Sequence, residues 1–96
     1  MDTLGYEDFR SQVTSTFRIE DTQMELKLVE VTERKLTSNQ EVFSLIFSGP
    51  GDHFLEQRLY NLSHEKLGEG SIFLVPVAQD ANGYTYEAVF NRLLES

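Results

Sequence analysis

Ninety-six residues with a formal net charge of −8, no cysteine and 40% hydrophobic residues describe one small acidic domain, residues 1–96. The missing cysteines exclude disulfides, thiolate catalysis and Cys-ligated zinc. The acidic excess is spread over both halves of the chain and leaves no basic stripe to neutralise phosphates, so neither nucleic acid nor an anionic membrane is an expected partner.

In chain order, GYEDFRSQVT (5–14) reads as a short helix. Glu7 and Asp8 fall in its first turn, where they complement the helix dipole, and Phe9 and Val13 share a face that Tyr6 can join. A helix this short must dock on something to persist. TFRIE (16–20) alternates as a strand. QMELKLVEVTE (23–33) is a longer one whose apolar phase slips from Met24, Leu26 and Leu28 to Val29 and Val31. A slip within one strand is the mark of a β-bulge, so a bulge or sharp coil is expected near Leu28–Val29, and strands bent this way suit a closed or half-closed barrel better than a flat sheet. The polar stretch 34–41 reads as a connecting loop.

VFSLIFS (42–48) is strand, and the following GPGD breaks it. Residues 58–64 form a strand with Tyr60, Leu62 and His64 on one face. Residues 70–77 are apolar on both faces, as in a buried strand. Pro76 has no N–H to give to a ladder, which places it at an edge, a strand end or a bulge. Residues 84–91 form the last strand, with Tyr84, Tyr86, Ala88 and Phe90 on one face, and RLLES (92–96) reads as a final half-turn of helix. The expected fold is mainly β: a small antiparallel β-barrel or sandwich of about six strands with a short N-terminal α-helix.

The chemistry-bearing residues are sparse. Asp80-Ala81-Asn82-Gly83 echoes part of a calcium loop, but such a loop ends on a bidentate Glu six residues beyond its Gly. Here that position is Val89, so the stretch reads as a hairpin turn in which Asn82-Gly83 supplies the positive φ. His53 and His64 lie on separate elements without metal-ligand spacing, and no serine sits in a G-x-S-x-G elbow. Neither catalytic nor metal residues are assigned, and no cofactor is implied. Asn61-Leu62-Ser63 matches a glycosylation acceptor, but no secretory signal accompanies it.

The motifs YEDF (6–9), TFR (16–18), FSLIFSGP (43–50), LYNLSH (59–64), FLVPV (73–77) and YEAVFN (86–91) together resemble a family of short bacterial proteins catalogued as a domain of unknown function. Genes of that family sometimes lie near ones for phage-tail-collar-type proteins, and the resemblance implies a place in tail-like particles. The first reading is therefore a non-enzymatic structural or protein-interaction module that has a protein partner or self-associates. Ile72, Leu74, Pro76, Glu87 and Asn91 are the candidate contact residues. The helix is the first candidate to cover the second face of 72–77, and another chain is the second. The alternative is a small-ligand-binding barrel or minor enzyme with a mouth lined by Tyr60, His64, Tyr84 and Tyr86. With no apolar signal region and no run near 20 apolar residues, the chain is expected to be cytoplasmic when made, with room for later incorporation into a larger particle.

Overall fold

Alternation of apolar and polar residues along six segments sets up strands that each bury one face, and the chain joins them into a ring. A computed structural model describes residues 4–22, 24–37 and 40–93. Helix α1 (Tyr6–Arg10) precedes strands β1 (Thr16–Ile19), β2 (Glu25–Thr37), β3 (Gln40–Gly49), β4 (Arg58–His64), β5 (Gly68–Asp80) and β6 (Gly83–Leu93). The strands close in the order β1-β2-β3-β6-β5-β4, and every neighbouring pair is antiparallel. Mainly-β architecture, closure and the N-terminal helix all agree with the pattern in the sequence.

The interior is filled from every wall. Phe17 and Ile19, Leu26 and Leu28, Phe43, Leu45 and Phe47, Leu62, Ile72 and Leu74, and Tyr86 and Ala88 are all essentially inaccessible to solvent. Phe17 meets Phe47 edge-on at 5.2 Å. Side-chain alternation then fixes the outer face: Leu59, Phe73 and Val89, each next to buried neighbours, point outward.

Besides a register shift between Lys35 and Thr37 close to the β2–β3 connection, two irregularities lie within the long ladders. Register along β2–β3 skips from Leu28↔Phe47 to Glu30↔Ile46, so Val29 is the extra residue of a bulge where the apolar phase slips. Along β5–β6 the register skips between Pro76 and Ala78, which makes Val77 a second bulge. Pairing of β5 with β4 ends at Leu74↔Arg58, so Pro76 lies past that ladder and its missing N–H leaves no hole there.

Three segments differ from expectation. The helix runs for five residues rather than ten, and residues 11–14 are turns. The Ser11 hydroxyl bonds back to the Asp8 carbonyl, and Thr14 at φ 80° swings the chain out of the helical path. The polar stretch 34–41 is mostly strand: β2 continues to Thr37 and β3 begins at Gln40, and residues 38 and 39 lie outside the described residues. Polar composition there did not preclude strand pairing. At the other terminus, Arg92 and Leu93 extend β6 against Glu41 and Gln40 in place of a helical half-turn, and 94–96 lie outside the described residues.

Thr14 is held in its left-handed conformation because its N–H donates to Leu28 O at 2.7 Å while Leu28 N–H donates to Ser15 O at 3.0 Å. A β-branched side chain pays for that φ in steric strain. Thr14→Gly is therefore expected to stabilise the fold by on the order of 1 kcal/mol, net of the extra freedom glycine has when unfolded. Chemical denaturation would show the midpoint rising at unchanged m-value, and a falling midpoint would refute the strain account.

Candidate functional site

The barrel has two ends, and each is closed differently. At the first end, α1 lies over the inward aromatics of β3 and β6. Phe43 and Phe90, cross-strand partners, stack at 5.1 Å and 8°. Phe9 covers both, at 5.8 Å and 5.3 Å, and Tyr6 meets Phe43 edge-on. The helix is anchored further by Tyr6 N–H, which donates to the Glu41 carboxylate, and started by Asp8, which accepts from Gly5 N–H at 2.8 Å.

At the second end, the loop after Gly49 folds over the opening. Leu55 is buried beneath it, its N–H donating to the Tyr86 hydroxyl at 3.0 Å, while the Tyr60 hydroxyl donates to Glu56 O at 2.6 Å. Burial pushes both phenols above the usual tyrosine range. The Arg58 guanidinium lies over the Tyr60 ring at 4.6 Å, and Tyr84 stacks edge-on with Phe54. The hydroxyls of Tyr60 and Tyr86 are thus spent on fastening a loop.

The proposed mouth residues are consequently split. Tyr60, Tyr84 and Tyr86 gather under the loop, whereas His64 lies four residues further along β4, roughly 13 Å at strand spacing. His64 borders an open cleft of about 520 Å³ together with Thr16, Arg18, Glu25, Ser63, Glu65, Gly68 and Glu69. Its Nε2 is 2.8 Å from Ser15 Oγ, a contact across 49 residues that no spacing in the sequence announces. A serine–histidine contact invites a nucleophile–base reading, but the tautomer runs the wrong way. Nδ1 accepts from the backbone N–H of Lys66 and Leu67, so Nε2 carries the hydrogen and donates it to a serine whose own hydroxyl is given to Gln12 O. Nearby, Glu20 shares a hydrogen bond with Glu69, which pushes the Glu20 carboxyl above its usual range, with desolvation adding to the effect.

Asp80 is a turn residue. Its carboxylate accepts from Asn82 N–H at 2.8 Å and Gly83 N–H at 3.2 Å, closing the two-residue loop under the Asp80↔Gly83 pair. The positive φ lies on Gly83 alone; Asn82 needs none. His53 Nδ1–H donates to the carbonyl oxygen of its neighbour Asp52 at 2.8 Å in the exposed loop, on a different element from His64. Among the described residues no three His, Asp or Glu side chains group as a metal would require.

The candidate contact residues sort by face. Ile72 and Leu74 point into the core, 1% and 0% exposed, so they have no surface to offer a partner. The outward residues of the same strand are Phe73, Val75 and Val77, a signal readable in the alternation once one knows which phase is interior. Nor does α1 cover that outer face; it is committed to Phe43 and Phe90. Leu59 faces Phe73 directly across β4–β5. Glu87, half-buried and outward, lies between Val75 and Ile46, and Val89 beside it is 61% exposed. Asn91 accepts from the Gln40 side chain at 2.7 Å, and Pro76 is half-buried at the bulge. Exposed apolar residues therefore cross β4, β5 and β6 on the outside of the barrel, with Glu87 set among them.

Fold and surface together define a small closed antiparallel barrel, plugged at one end by a helix and at the other by a loop, with an apolar outer stripe. The chain belongs to the family described as Domain of unknown function (DUF6916), whose model matches residues 4–90. No curated protein and no solved structure gives a significant match. Among the described residues, no helix is long and apolar enough to cross a membrane.

Proposed function

We propose that the chain is a non-enzymatic protein-interaction module that docks through the outer stripe of Leu59, Phe73, Val75 and Val89. The observation that carries this reading is the exposure of Phe73, Leu59 and Val89 at 47%, 55% and 61% on neighbouring strands while the interior and both ends are already filled. Contiguous exposed apolar surface on a small soluble domain is the usual mark of a binding face. The stripe is rigid, since each residue is fixed by a ladder on a closed ring, and docking there costs little ordering. A tail-like, phage-derived particle is the setting we propose for it, and self-association or a neighbouring subunit would use the same face.

Light scattering over a concentration series tests the self-associating form. The expected mass rises above the 11.0 kDa of one chain. Phe73→Asp combined with Val89→Asp should weaken the association by roughly thirtyfold or more, about 2 kcal/mol, with the melting temperature nearly unchanged because both positions face outward. A one-chain mass at every concentration, together with no partner lost on making these substitutions, would count decisively against the reading.

A further inference from the structure

His64 ends β4 and is 7% exposed, with its ring against Phe17 at 4.5 Å. Nδ1 accepts from Lys66 N–H at 3.0 Å and Leu67 N–H at 3.1 Å, and a nitrogen that accepts such bonds carries no proton. Nε2 holds the ring's hydrogen and presents it to Ser15 Oγ at 2.8 Å. A single neutral imidazole thus ties two distant pieces of chain together: the turn between β4 and β5, and the segment that joins α1 to β1. We propose that His64 is an acid-released latch, in which protonation of Nδ1 turns two accepted hydrogen bonds into donor–donor repulsion and loosens the turn at residues 65–67, while the Nε2–H bond to Ser15 and the six-stranded ring stay in place.

The charges around the ring are mixed. Glu65 in the turn favours the protonated ring, and Lys66 opposes it. Arg18 from β1, Glu25 from β2 and Glu69 from β5 line the adjoining cleft, and the N-terminal segment meets the ring through the uncharged Ser15. Desolvation outweighs the rest and holds the imidazole below its ordinary value of 6.5. A depressed folded value means that the neutral latch is complete above about 6.5 and is lost as pH falls through the lower folded value.

Nitrogen-15 NMR of the whole chain reads both parts of the proposal. At neutral pH the imidazole of His64 should show the Nε2–H tautomer. On acidification, amide-exchange protection factors at Lys66 and Leu67 should fall by up to about tenfold per pH unit between about 6.5 and the lower folded value and level off below it, while Leu45 in the middle of β3 keeps its protection. His64→Asn, whose side-chain oxygen can still accept from the turn but does not titrate, should make the protection at Lys66 and Leu67 independent of pH. If that variant does not fold, the wild-type measurements decide alone. A proton on Nδ1 at neutral pH, unchanged protection at the turn as the ring titrates, or loss at Leu45 in step with the turn would each overturn the latch.

Discussion

Gly83→Ala is expected to destabilise the domain by more than about 3 kcal/mol, a lowering of the melting temperature by on the order of 15 °C. A Cβ on Gly83 would come within 2.1 Å of the Gly49 carbonyl oxygen and 3.2 Å of Gly51 N, and all of these are backbone atoms. Flexible side chains can swing away from such a collision; two strand ends cannot. The residue also has φ 143°, which L side chains avoid. Gly68 supplies the control, since it too has positive φ but nothing lies within 4 Å of its would-be Cβ. Gly68→Ala should cost only about 1 kcal/mol. Thermal melts followed by circular dichroism separate the cases. Similar losses at the two glycines would mean that conformation, rather than the close approach of β3 and β6, sets the requirement at Gly83.

Phe9→Ala should be nearly as damaging, by about 3–4 kcal/mol. Phe9 is the buried residue of a five-residue helix that cannot hold itself together in water. Removing its ring takes away the cover over Phe43 and Phe90 and most of the reason for α1 to dock. Tyr6→Ala, which deletes only an edge contact 6.4 Å from Phe43 in a half-buried position, should cost about 1 kcal/mol. Denaturant titrations of the pair measure the difference. Equal costs would mean that the helix is held by its backbone bonds rather than by the aromatic cluster.

Much of this architecture is legible in the chain because strand alternation is a local signal. The slip from Leu28 to Val29 gives the bulge away, Pro76 marks the end of a ladder, and DANG marks a hairpin. What escapes the sequence is non-local. A polar run such as 34–41 looks the same in a loop and in a strand, and only the pairing of β2 with β3 distinguishes them. Residues 72–77 are apolar on both faces, so the pattern does not say which phase is interior; closure of the ring assigns Ile72 and Leu74 inward and Phe73 outward. The same limit hid the separation of His64, on a side cleft, from Tyr60 under the loop, and the meeting of His64 with Ser15. The apolar content of 72–77 is plain in the sequence, but which of its residues face outward is not.

The four-residue β1 has a consequence for how the chain assembles. It alone joins β2 to β4, through Phe17↔Leu26 on one side and Ile19↔Leu62 on the other. The β1–β2, β2–β3, β4–β5 and β5–β6 pairs connect near neighbours and can zip from their turns, whereas the long β3–β6 ladder and the short β1–β4 seam both need the two halves of the chain to meet, and the longer ladder has far more to hold it once formed. Folding is therefore expected to pass through an open curved sheet and finish with a clasp. Until the clasp shuts, the edges of β1 and β4 remain available to strangers, so the shortest strand governs the interval during which a newly made chain is vulnerable to mispairing.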